Sequence, residues 1–257
     1  MDLHLKGRRA LVTGASKGIG EAIALMLAEE GCDLVLVARS APALEAVRQK
    51  IEARFRVGVE TCALDVGAAG SAAHLADAFT HIDILVNNAG AIPPGSLDEI
   101  DEPAWRAGWD LKVFGYINLC RAFYAALRQR GGGVIVNVIG HAGERMNSQY
   151  IAGSSGNASL IAFTRALGGT SHRDGIRVVG VNPGPVATDR HRVVAKRQAL
   201  ARFGSEDRWQ EFDRSLPFGR AGEAAEIAAM VAFLASDRSA YTTGTVVTID
   251  GGLAGTS

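Results

Sequence analysis

Thr13-Gly14-Ala15-Ser16-Lys17-Gly18-Ile19-Gly20 sets closely spaced glycines and one lysine between a short apolar run, Ala10–Thr13, and an amphipathic stretch, Ile19–Glu30. Glycine permits a tight turn and lets the backbone come close to a diphosphate. A helix opening at that point offers free N–H groups and a partial positive charge. In a strand–turn–helix setting this pattern reads as a dinucleotide-binding loop, with Gly14, Ser16, Lys17, Gly18, Ile19 and Gly20 at the phosphates. The next apolar run ends in Ala38-Arg39-Ser40, where a site selective for NAD would carry an acid. A guanidinium there suits a 2′-phosphate, with Lys17 as a second cation, so NADP(H) is expected ahead of NAD(H). The alternative for Arg39 is a solvated residue opening a helix.

The elements that would position these groups follow from hydrophobic patterning. Ala10–Thr13, Leu34–Ala38, Val57–Leu64, Ile84–Asn87, Val134–Val138, Val178–Val181 and Val246–Ile249 read as strands. Their near-continuous apolar character predicts burial on both faces, as in a parallel sheet. Helical patterns lie between them: Ile19–Glu30, Ala41–Ala53, Ser71–Phe79, Pro103–Arg130, Ser155–Leu167 and Ala224–Ala235. The alternation predicts an α/β fold: a single-domain, doubly wound Rossmann-type parallel sheet with helices on both faces. Thr188–Leu216 breaks the alternation and reads as a partly helical excursion over the cleft.

Bulk properties narrow the function. In 257 residues, 47% are hydrophobic, and Lys+Arg and Asp+Glu are equal at 27 each. A neutral chain has no field to draw nucleic acid or an anionic membrane. Cys32, Cys62 and Cys120 form no CxxC pair and read as reduced thiols. His4, His74, His81, His172 and His191 show no metal-ligand spacing, and no metal is expected. Met1–Gly7 lacks the apolar stretch of a secretory signal, and a cytoplasmic location is expected.

The glycine pattern TGxxxGxG at Thr13–Gly20 resembles that of the short-chain dehydrogenase/reductase family. Asp65-Val66 is similar to its adenine-contacting pair, and Asn87-Asn88-Ala89-Gly90 to its NNAG motif beside the cofactor. Pro183-Gly184-Pro185-Val186-Ala187-Thr188 resembles its segment near the nicotinamide, and the FLASD, TG and IDGG sequences resemble its C-terminal block. The resemblance covers nearly the whole chain and is nearest to 3-oxoacyl-acyl-carrier-protein reductases. It implies cofactor contacts from Asp65, Val66, Asn88, Ala89, Gly90, Pro183, Gly184, Val186 and Thr188. It also implies a homodimer or homotetramer.

Catalysis in that family uses Asn, Ser, Tyr and Lys, with the Lys lowering the Tyr pKa from about 10. Alignment on flanking motifs puts Lys112, Gly140, Gly153 and Asn157 at those places. The thirteen positions from Gly140 to Gly153 match the family's Ser-to-Tyr interval. Two readings follow. In one, the site is rebuilt from Tyr150, Lys112 and His141, with a Lys–Tyr or Lys–His pair giving a proton to a carbonyl or acyl-thioester substrate. In the other, the cleft holds a nucleotide and does little chemistry. Gly153 and Gly156 mark either a close approach by a ligand or a loose loop before the helix. Arg190, His191, Arg192, Lys196 and Arg197 would steer an acidic substrate, coenzyme A or an acyl carrier protein, or form a solvated helix face.

Overall fold

A computed structural model describes residues 1–255. Its sheet has the order β3-β2-β1-β4-β5-β6-β7, with every pairing parallel. The strands are β1 (Arg9–Thr13), β2 (Asp33–Ala38), β3 (Val59–Ala63), β4 (Ile84–Asn87), β5 (Gly133–Val138), β6 (Ile176–Pro183) and β7 (Val246–Ile249). Strand order reverses between β1 and β4. Ligands of such sheets bind in the crevice at that switch, outside the carboxyl ends of the strands.

Alternate strand residues feed two cores. Val12, Leu34 and Leu36 join Ile23 and Leu27 of α1 (Gly18–Glu29), Leu44 of α2 (Ala41–Glu52) and Val231 of α9 (Ala224–Ala235). Leu11, Val35 and Val37 face the other way, onto Leu75 of α3 (Ser71–Ala78) and Phe123 of α5 (Gly115–Gln129). Burial on both faces explains the continuous apolar runs. Side chains cap the helix starts: Ser40 at α2, Asp101 at α4 (Glu102–Trp109), Thr188 at α7 (Asp189–Phe203), and a reciprocal Glu223–Glu226 box at α9.

Two helical expectations are corrected. Pro103–Arg130 is interrupted: α4 ends at Trp109, residues Asp110–Phe114 wind as a π turn, and α5 follows. Then α6 (Ile151–Ser171) starts four residues before the expected Ser155. Gly153 and Gly156 therefore lie inside a helix, not in a loop. The excursion after β6 consists of α7, a short 3-10 turn at Glu206–Arg208, and α8 (Trp209–Arg214).

Candidate active site

The glycine loop is fastened to the end of β4. Thr13 Oγ1 accepts from the backbone N–H groups of Asn88 (2.9 Å) and Ala89 (3.1 Å), and Asn88 Nδ2 donates to Thr13 O (3.0 Å) and Gly14 O (3.3 Å). The turn leaves no room for side chains. A β-carbon on Gly20 would stand 2.2 Å from Gly14 O, and one on Gly14, whose φ is +67°, would stand 2.9 Å from Ala89 Cα. Thr188, whose hydroxyl caps α7, sits against Gly18, so the base of the excursion leans on this loop.

The remaining expected nucleotide contacts line the same edge. Arg39 and Lys17 are exposed, and neither has a partner among the described residues. Asp65 is exposed, with Oδ1 accepting from Gly67 N, whereas Val66 is buried under it. Gly90 closes the NNAG segment against the stem of Lys112. Pro183 ends β6, Gly184 N donates to Ile249 O at 2.9 Å, and Val186 is buried. Ser16 lies in the turn before α1, and Gly18 and Ile19 are its first residues. A nicotinamide dinucleotide fits this edge: a glycine turn at a helix start, two free cations, and a buried amide with an open acceptor. That amide is Asn157, whose Oδ1 has no partner among the described residues.

Lys112 reaches the site because the π turn carries it inward. Its Nζ donates to Ile139 O at 2.5 Å, just past the end of β5, and its stem packs on Gly90. Tyr116 Oη donates to Val138 O (2.8 Å), and Gly140 N donates to Asn182 Oδ1 (3.3 Å), so the strand end is held from several sides. Desolvation, then the nearby positive charge of Arg190, lower the Lys112 pKa to about 7. π turns recur at functional positions.

Tyr150 is the residue before α6, with φ −142°, and is not on the helix itself. Its backbone bridges to Gly95, and its ring folds over Gly153. A β-carbon on Gly153 would lie 1.9 Å from Tyr150 Cζ. The space over Gly153, expected to admit a ligand, is therefore taken by this phenol. Gly156 serves a different packing: its α-carbon faces Val113, Ile92 and Trp109 of the π-turn region. At Gly140, whose φ is +145°, an added β-carbon would meet Asn157 Nδ2 at 2.9 Å. Burial raises the Tyr150 pKa, with Arg190 opposing.

Arg190, in the first turn of α7, donates to Gly90 O (3.3 Å), Ile92 O (2.8 Å) and Tyr150 Oη (3.4 Å). It thus draws together the NNAG loop, the phenol and the excursion. The other cations expected beside it disperse. His191 pairs with Asp213 at 2.7 Å, Arg192 lies over the Trp209 ring, and Arg197 lies near Glu99. His141 is joined to the C-terminal segment: its Nδ1 is 3.5 Å from Asp250 Oδ2, at the limit of a hydrogen bond, and has no closer partner. Burial lowers its pKa, with Asp250 opposing. Sequence reasoning grouped Arg190 with a charge cluster and missed its contact with Tyr150; its place two residues after Thr188 was the available signal. No group of potential metal ligands occurs among the described residues, and no helix there is long and apolar enough to cross a membrane.

The family described as enoyl-(acyl carrier protein) reductase, of the short-chain dehydrogenase type, matches residues 14–254. This chain belongs to the short-chain dehydrogenase/reductase family. Among members of the family, galactitol 2-dehydrogenase (L-tagatose-forming) of Cereibacter sphaeroides is 35% identical over 251 residues, covering 97% of this chain and 96% of its own. The 3-oxoacyl-(acyl-carrier-protein) reductase of Pseudomonas aeruginosa is 34% identical over 260 residues, covering 98% and 99%. The solved L-sorbose reductase from Gluconobacter frateurii, complexed with NADPH and L-sorbose, superposes with a TM-score of 0.90 at 30% identity over 100% of both chains. This short-chain dehydrogenase/reductase shares their fold from end to end.

Proposed function

We propose that the chain is an NADP(H)-dependent oxidoreductase that interconverts a carbonyl and an alcohol, with Lys112 as the proton donor. The observation that carries this reading is the Lys112 ammonium, delivered by a π turn beside Gly90 and the end of β5, with its pKa lowered to about 7. A group titrating near the working pH is an efficient general acid–base catalyst, and a lysine in water is not.

A nicotinamide held here would supply hydride chemistry, giving a hydride to a carbonyl carbon or taking one from an alcohol. Lys112 gives a proton to the carbonyl oxygen in reduction and recovers one from solvent afterwards. Tyr150, kept neutral by burial, donates a hydrogen bond to the same oxygen, and Arg190 holds its phenol in place. His141 lies 3.5 Å from Asp250 of the C-terminal segment, which Arg145 holds through Leu253 O (3.1 Å). The glycine turn and α1 would hold the diphosphate, Arg39 and Lys17 the 2′-phosphate, and Asn157 would accept from a ribose hydroxyl.

The substrate is a small carbonyl compound, and the α7–α8 excursion is its lid. The apolar hollow between α5 and α6, lined by Ile117, Tyr124, Phe163 and Leu167 among others, supports a homodimer or homotetramer. Following NADPH absorbance against ketones, diketones and β-ketoacyl thioesters tests the whole reading. Turnover that is lost on replacing Lys112 supports it. Tight NADPH binding with no turnover of any carbonyl favours a nucleotide-binding protein of the same fold.

A further inference from the structure

The cations at the candidate site lack acid partners. Lys112 donates to the carbonyl of Ile139, and Arg190 to the carbonyls of Gly90 and Ile92 and to the Tyr150 hydroxyl. Neither forms an ion pair among the described residues. In contrast, Arg130 meets Asp83, Arg208 meets Glu211 and Arg220 meets Glu226. Lys112 is half-buried at the end of β5, Arg190 is exposed at the start of α7, and their charges repel. Placing like charges together without a counter-charge is costly, and an anion seated between them removes the cost. Both groups keep N–H donors free after their carbonyl contacts. A free guanidinium N–H donates a charge-assisted bond to a carboxylate oxygen, and an ammonium matches a single oxygen.

We infer that the substrate is a 2-oxo or 3-oxo acid, whose carboxylate binds Arg190 while its carbonyl oxygen faces Lys112. This inference rests on the proposed oxidoreductase reading. The oxo acid becomes the hydroxy acid as one NADPH is oxidised, and one proton enters through Lys112. The remaining cations of α7 take no part, since His191 and Arg192 are turned to Asp213 and Trp209.

The first arm compares kcat/KM, at fixed ionic strength, for 2-oxobutyrate against 1-hydroxy-2-butanone and for acetoacetate against 4-hydroxy-2-butanone. At least one acid should lead its uncharged counterpart by about tenfold to a hundredfold, the range of a charge-assisted hydrogen bond. In Arg190→Gln that ratio should fall toward one, chiefly through KM, and Arg190→Lys should restore part of it. The second arm needs no turnover: calorimetric titration of the protein, with and without NADP+, using oxamate and malonate. Binding that weakens about tenfold or more in Arg190→Gln supports the inference even if no carbonyl is reduced. Turnover of the ketols without acid preference, or no binding of oxamate or malonate in any state, overturns it. The first of these outcomes leaves the oxidoreductase reading standing.

Discussion

The phenol ring of Tyr150 occupies the space above the α-carbon of Gly153, close enough that a β-carbon on Gly153 would stand 1.9 Å from Cζ. The glycine and the tyrosine are thus a matched pair, and each accounts for the other. Gly153→Ala should push the ring off its seat. Overpacking of this kind costs about 1–3 kcal/mol. Urea unfolding should report that loss, together with a lower kcat for carbonyl reduction; unchanged stability and rate would mean that the ring is free to move.

Replacing Lys112 tests the proton donor. Lys112→Met keeps much of the stem that packs on Gly90 and removes the ammonium. Loss of a general acid lowers kcat by about 10²–10⁴-fold. NADPH affinity, followed by fluorescence titration, should stay within about twofold of the parent, since the proposed phosphate contacts lie at Arg39 and the glycine loop. A variant that keeps full kcat would remove Lys112 from the chemistry.

The pH profile carries the same assignment with a sign. The Lys112 pKa is lowered to about 7, so its protonated fraction falls as pH rises through that value. Carbonyl reduction needs the ammonium and should decline above pH 7. Alcohol oxidation needs the free amine and should climb over the same interval. Steady-state kcat/KM in both directions, in a constant-ionic-strength buffer series, should give mirrored curves, with both bends absent from Lys112→Met.

Stability should depend on pH through this same residue. Its folded pKa lies below the unfolded value of about 10.4, so between pH 7 and 10 the unfolded chain binds more protons than the folded one. The Lys112 contribution therefore makes the protein more stable as pH rises across that window. Urea midpoints measured at pH 7 and pH 9 should separate less in Lys112→Met than in the parent. An identical separation would show that the ammonium is well solvated.

Arg39 is the residue proposed to discriminate between the two dinucleotides. It is exposed and unpartnered, just past the end of β2. Arg39→Ala should weaken NADPH by about tenfold or more, the size of a lost charge-assisted phosphate contact, and leave NADH within about twofold. Parallel calorimetric titrations of the two cofactors would reveal equal losses if Arg39 acted only on the fold.

The sheet and its glycine loop were legible in the chain because their signals are local. Apolar runs such as Leu34–Ala38 announce strands buried on both faces, and Thr13–Gly20 holds its whole turn in eight consecutive residues. The candidate site was legible only in part. Lys112 was found by alignment on flanking motifs, but nothing in Asp110–Phe114 announces a π turn, because the difference from an α-helix is one residue of winding. Tyr150 was named without its contact to Gly153: it stands just before α6, and its ring folds back over that glycine. Arg190 meets Tyr150 across forty positions of sequence, a contact that only the assembled fold creates. The wide dispersal of the α7 cations follows from partners, Asp213 and Trp209, that lie a further turn of chain away.

Trp109 and Lys112 stand on either side of the same surplus of winding. Trp109 Nε1 reaches the carbonyl of Ala152 at 2.9 Å, and Lys112 Nζ reaches that of Ile139. Deleting a single residue between them would restore regular α-helical phase and rotate one anchor about 100° relative to the other. Both could not then be kept. The place of the Lys112 ammonium thus hangs on a one-codon difference in a segment that leaves the strands untouched, a short mutational route by which an old scaffold could acquire or abandon a cation at this cleft.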